Sequence, residues 1–231
     1  GYDWEHPVLV KAWDDLLALG HDEGEGWFMQ PCLSPVWDTA LGMIALQEAD
    51  RRFGQRHSAI PLQLLADLSD YAPVSLGGKA HGIGWHGNAI LVRRGIKVRH
   101  AQILPLPTLE PRGAVVAELD TEHGPLRIVG AHLDLSGLWR RRQIRALLNY
   151  LDSAAHHLPT VIMGDFNQWS NRGALSEFAF HHHRLVATPP SYHSQRPVAR
   201  LDRIIVSHDL AVAESGVHLT PLSRQASDHL P

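Results

Sequence analysis

The chain has 231 residues, 44% of them hydrophobic, and a formal net charge of −3. That suits one large globular domain, gives no bulk attraction to nucleic acid or anionic lipid, and contains no apolar run of the roughly 18 residues a membrane span needs. One cysteine, Cys32, excludes an internal disulfide framework and thiolate metal clusters. No stretch reads as a secretory signal, so the expected compartment is cytoplasmic and the expected state a monomer.

Residues 1–40 differ in texture from the rest and hold four of the seven tryptophans, Trp4, Trp13, Trp27 and Trp37. Ala12 to Leu19 has the marks of a short helix stopped by Gly20. Leu41 to Gln47 is a short apolar run that delivers a carboxylate, Glu48, at its end. Ser58 to Leu68 repeats apolar residues at a helical period. From Ala72 the texture is strand and turn. A glycine-punctuated loop leads into Asn88–Val92, followed by Ile96–Ile103, Ala114–Leu119 and Leu126–His132. Short turns between these runs predict antiparallel neighbours.

Leu138 to His156 is the clearest predicted helix, with Ile144, Leu147, Leu148 and Leu151 on one face. Arg140, Arg141, Arg142 and Arg145 crowd its start, where cations oppose the helix dipole. A solvated face accounts for them, and an anion-meeting role is the alternative. Thr160 to Trp169 reads as a buried strand ending in Asp165, Phe166 and Asn167. Strand alternation would put Asp165 and Asn167 on one face and Phe166 on the other. An anionic oxygen donor and a neutral amide beside Gly164 suit a hard cation or a phosphate oxygen, though both residue types also populate turns. A short helix over Arg172–Phe180, a polar loop over Thr188–Pro197, and strands over Leu201–Ser207 and Val217–Leu222 complete the chain. The histidine run His181–His183 has no ligand spacing.

Four segments then fall into one order: Leu46–Glu48, Gly164–Asn167, Leu201–Arg203 and Ser227–His229. Together with Ala131–Leu133 and the entry Arg112–Ala114, they resemble the endonuclease/exonuclease/phosphatase superfamily over roughly residues 41–231. The resemblance implies an α+β fold, a four-layer α/β sandwich with two mainly antiparallel sheets face to face and helices outside. It implies one domain over 41–231 behind an atypical segment, 1–40. The implied function is a metal-dependent phosphodiester hydrolase, with nucleic acid the first expected substrate; phosphomonoesters and phospholipid headgroups are alternatives, as is an inactive phosphate-binding relative.

By the same resemblance, Glu48 and Asp228 would bind Mg²⁺ or Mn²⁺, hard cations suited to oxygen donors. His229 would take a proton from the attacking water or hold a phosphate oxygen, and Asp202 would orient it. Asp165 would orient or deprotonate the water, Asn167 would hold a non-bridging oxygen, and His132 would donate to the phosphate or leaving oxygen. Asn88 and Arg112 would contact substrate at the rim. The chain departs from the family in having no asparagine before Asn88, where an aromatic-Asn strand is expected, and no closing strand after His229. The favoured expectation is that residues 1–40 are foreign to the domain, as in a truncated or frame-shifted product; a substitute first strand or a degenerate relative are the alternatives.

Overall fold

The structure, a computed structural model, describes residues 70–77, 84–221 and 223–231. The expected elements at Ala12–Leu19, Leu41–Gln47 and Ser58–Leu68, and Glu48 with them, lie outside the described residues. In chain order the described elements begin with β1 (Tyr71–Pro73), β2 (Leu91–Arg93), β3 (Lys97–Leu104), β4 (Gly113–Thr121) and β5 (Gly124–His132). Helix α1 (Gly137–Asp152), β6 (Thr160–Asp165) and a 3-10 helix (Gly173–His181) follow. The last are β7 (His183–Leu185), β8 (Asp202–Ser207) and α2 (Ser223–Ala226).

Six strands form one sheet in the order β3-β4-β5-β6-β8-β7, and β1 pairs with β2 in a second. All neighbours are antiparallel except β5 and β6. That exception follows from α1, because a parallel pair needs a long crossover rather than a hairpin. The sequence reasons are direct. β4 and β5 flank a two-residue turn and pair from Gly113↔His132 to Thr121↔Gly124. Their β-branched, alternating residues suit a sheet covered on both faces.

Alternation sends the two sets of side chains to two cores. Ala114, Val116, Val129, Ala131, Ile162 and Ile205 meet Ile144, Leu147 and Leu148 of α1 on one face. Val115, Ala117, Leu119, Ile128, Val161 and Met163 meet Val74, Ile90 and Val92, around β1 and β2, on the other. Truncating a fully buried residue such as Ile144 to alanine costs about 2–5 kcal/mol. The fold is the expected α+β sandwich, with sheet against sheet on one side and helices outside on the other.

Two expectations need correction, and one strand goes beyond them. The helix predicted to His156 ends at Asp152, where Ser153 N–H bonds Asn149 O at 3.0 Å and the Ser153 hydroxyl bonds Tyr150 O. Beyond Leu151 the apolar face runs out, so nothing holds another turn against the sheet. The strand predicted over Val217–Leu222 does not form across its described residues, 217–221. Thr220 and Ser223 instead bond each other's backbone N–H at 2.9 and 3.0 Å, a reciprocal cap that starts α2. Strand β7, only His-Arg-Leu, was not foreseen; three residues are too few to show a period.

Candidate active site

The register of the large sheet lines up one row of residues across four strands. Gly113 on β4 opposes His132 on β5, His132 opposes Asp165 on β6, and Asp165 opposes Asp202 on β8. Three polar side chains from distant parts of the chain therefore share one end of the sheet. The row depends on close approach of β5 to β6. Gly164 has φ +139°, and a Cβ there would stand 2.0 Å from the Ala131 carbonyl oxygen. Only glycine fits at this point, immediately before Asp165.

Asp165 is buried, and its Oδ1 accepts the Asn167 N–H at 2.7 Å. Asn167 sits at φ +49° and donates its side-chain amide to the Leu133 carbonyl at 2.8 Å. The strand thus stops at Asp165 and becomes a turn of the kind Asn and Asp favour. This corrects the alternation argument, which needs extended backbone through Asn167. Phe166 is buried as expected, its ring 6.1 Å from Phe178.

His132 is also buried, with Nε2 3.7 Å from Asp165 Oδ2. Its Nδ1 lies 3.4 Å from Arg112 Nη1, and Arg112 Nη2 donates to Glu110 at 3.0 Å. A donor at Nδ1 favours the tautomer with the proton on Nε2. Behind this set stands Asp134, a fully buried carboxylate whose Oδ2 accepts the N–H groups of Leu109 and Glu110 at 3.1 and 3.3 Å. Burial alone would raise its pKa, but bonds from Leu109, Ser136, Glu110 and Thr108 outweigh it and hold the carboxyl below its ordinary value. Asp134 was missed in the sequence; its spacing of two from His132 on an extended run was the available signal.

On the other side, Asp202 Oδ2 is 2.8 Å from His229 Nδ1 and also accepts the Ser191 hydroxyl. The Tyr192 ring packs 4.9 Å from the His229 ring. Ser191 and Tyr192 come from the polar loop, where sequence carried no sign of a site. Asp228, half-buried, precedes His229, and its backbone carbonyl accepts the Ser194 N–H at 2.7 Å. Asn88 is buried, and its amide nitrogen lies within 3.3 Å of the carbonyls of Trp85, His86 and Gly113, clamping the start of β4. The structure therefore brings together His132, Asp165, Asn167, Asp202 and His229, with Arg112 beside His132, while Glu48 lies outside the described residues.

The arginines of α1 are engaged within the chain. Arg140 donates to the Asp134 and Leu135 carbonyls, Arg141 and Arg145 reach Glu177, and Arg142 lies 4.9 Å over the Trp139 ring. The histidine run diverges: His181 pairs with Asp152, His182 faces His208, and His183 Nδ1 meets the His181 carbonyl. Among the described residues no three His, Cys, Asp or Glu side chains converge as around a metal ion. The donors present at the site, carboxylates and an amide with no thiolate, have the chemistry of a hard-cation site, but without Glu48 they do not complete one. No helix among the described residues is long and apolar enough to cross a membrane.

The model of the Endonuclease/Exonuclease/phosphatase family matches residues 15–229. The uncharacterized protein YbhP of Escherichia coli K12 is 29% identical over 159 residues, which cover 64% of this chain and 61% of YbhP. The chain thus spans less than two thirds of that relative. Among solved structures, a mannosyl-6-phosphatase of Bacteroides thetaiotaomicron superposes with TM-score 0.59 at 16% identity, covering 73% of this chain and 77% of that one. D. rerio TDP2 complexed with a single-strand DNA product superposes with TM-score 0.52 at 19% identity, covering 73% and 78%. A stretch of 41 residues is 58% identical to a probable squalene–hopene cyclase of Sinorhizobium fredii, but covers 18% of this chain and 6% of that protein. That is too little of either to assign a second family.

Proposed function

Because the chain belongs to the endonuclease/exonuclease/phosphatase family, we propose that it hydrolyses phosphate esters, with phosphodiesters of nucleic acid as the first substrate class. The observation that carries this reading is the His229–Asp202 pair, 2.8 Å apart, with Asp202 on the strand next to Asp165. The Asp202 carboxylate accepts Nδ1–H and so leaves the Nε2 lone pair of a neutral imidazole to take a proton from water. Asp165 orients that water. Asn167 spends one amide hydrogen on Leu133, and the second would hold a non-bridging phosphate oxygen. His132, with Arg112 against Nδ1, would donate from Nε2 to the phosphate or the leaving oxygen.

A divalent cation, Mg²⁺ or Mn²⁺, with Glu48 and Asp228 as its proposed ligands, would supply Lewis-acid polarisation of the phosphoryl group. The placing of nucleic acid ahead of phosphomonoesters is supported by the DNA product bound to TDP2; the sugar-phosphate substrate named for the Bacteroides neighbour makes monoesters the second reading.

The test is hydrolysis of bis-p-nitrophenyl phosphate and of a single-stranded oligonucleotide by wild type, His229→Ala and Asp202→Asn. Each variant should lose about 10²–10⁴-fold in turnover, the range for a positioned acid–base group. Unchanged turnover in His229→Ala would overturn the assignment, and preferential cleavage of sugar phosphates would shift the substrate class to monoesters.

A further inference from the structure

Immediately after the buried run Phe166, Asn167 and Gln168, the chain turns Trp169 outward to 67% exposure. Isolated exposed apolar residues are common and by themselves mean little. Two features set this one apart. The first is rigidity. The loop that carries it is fixed from within: buried Arg203 donates to the Gln168 carbonyl at 2.9 Å and to Asn171 Oδ1 at 2.7 Å. The Gln168 side chain donates to the carbonyls of Ser170 and Arg172. A large indole is thus held in water by a preorganised loop, at a cost a merely structural residue would not need.

The second feature is position. Trp169 packs edge to face with Tyr192 at 6.5 Å, and Tyr192 packs on His229 at 4.9 Å. Two ring-to-ring steps separate the exposed indole from the imidazole assigned to the reaction. In the same loop Arg172 is exposed and makes no ion pair among the described residues, unlike Arg112, Arg127, Arg141 and Arg145. An exposed aromatic ring with an exposed arginine three residues further along the same loop is the combination that grips single-stranded nucleic acid, the ring stacking a base and the cation meeting backbone phosphate.

We propose that Trp169 is the stacking platform for a nucleobase next to the scissile phosphate, with Arg172 on the adjoining backbone phosphate, so that the site selects base-bearing phosphodiesters over base-free ones. This rests on the hydrolase reading above and adds the part of the substrate that is recognised. Stacking tolerates any base, so the selection is for the presence of a base rather than for its identity.

The experiment compares two single-stranded oligonucleotides of the same length, one with bases and one with abasic tetrahydrofuran units flanking the central phosphate. Trp169→Ala should raise KM for the base-bearing strand about 10- to 100-fold, as loss of one base–aromatic stack does. It should leave KM for the abasic strand and kcat for both nearly unchanged, and Trp169→Phe should recover most of the loss. Equal losses on both strands, or none, would overturn the proposal. A preference for phospholipid vesicles over either strand would also overturn it.

Calorimetric titration of the same strands into His229→Ala, with and without Trp169→Ala, separates the two readings. If neither strand is cleaved by wild type, the hydrolase reading fails. The binding difference between the two strands still decides the stack: tighter binding of the base-bearing strand only when Trp169 is present supports it, and no difference overturns it.

Discussion

The two ends of the same strands bury polar residues in different ways. At one end the row is His132, Asp165 and Asp202, completed by His229. At the other, Arg127 on β5 pairs with Glu118 on β4 and donates to it through both Nε and Nη2, at 3.1 and 2.8 Å. Next to it, Thr160 N–H donates to the Ser207 hydroxyl, which donates to Asp209, which in turn meets His157. The second end pairs a buried arginine and hydroxyls with carboxylates, and its one imidazole, His157, stands out in solvent. The first is built around two buried imidazoles, His132 and His229, each with one ring nitrogen turned toward a neighbour and the other left for a proton or a phosphate oxygen. Buried polar residues alone do not mark a site; the proton chemistry of the residues does.

That contrast can be attacked directly. The largest effect is expected from removing divalent cations: EDTA should abolish phosphodiester hydrolysis, and Mg²⁺ or Mn²⁺ should restore it while leaving the thermal midpoint nearly unchanged. Activity that survives chelation would count against the cation proposal. Next, His132→Ala should lower turnover about 10²–10³-fold, measured as kcat per folded molecule, because it removes a donor aimed at developing charge. Arg127→Ala at the opposite end should do the reverse. It should cost about 3 kcal/mol in denaturant unfolding, since it leaves Glu118 partly buried without its partner, and leave kcat intact.

Gly164→Ala couples the two kinds of effect. The clash with the Ala131 carbonyl and the strained φ should cost about 3 kcal/mol and also lower kcat by spreading His132 from Asp165. The smallest change is in acid. The Asp134 carboxyl binds its proton less tightly folded than unfolded, so its contribution to stability is present above pH about 4 and is lost as pH falls through the depressed folded value. Asp134→Asn should therefore flatten the acid limb of a stability–pH curve and leave the neutral region parallel to wild type.

Much of the fold was legible because its residues obey a period. The apolar stripe of α1, the alternation of β4 and β5 and the continuous run of β6 each state how they are buried. The features missed follow long-range rules. Whether Thr220 lies within a strand or caps a helix depends on Ser223, and β7 pairs only with the edge that β8 offers. At the site, the order of motifs along the chain brought out His132, Asp165, Asp202 and His229, the first three at strand ends. Asp134, Ser191 and Tyr192 act through loops, whose spatial neighbours no local pattern reveals. Asn167 shows the limit of the alternation rule, which expired one residue before it.

His229 differs from its partners in how it is tethered. His132, Asp165 and Asp202 ride on paired strands, but His229 is held by its own bond to Asp202, by a lone bridge to Tyr192, and by loop bonds from Leu230 N–H to the Ser191 carbonyl, Ser194 N–H to the Asp228 carbonyl and His218 N–H to the Pro231 carbonyl. Loop bonds and not a strand ladder hold this segment, so the amides of Leu230 and Ser194 are expected to exchange with solvent deuterium sooner than those of Val129 or Ile162. The fully folded ensemble would then contain two populations, docked and undocked, and only the docked one could turn over. The measured rate constant would carry that docking equilibrium as a factor, and any ligand that seats residues 227–231 would raise it without touching the chemistry.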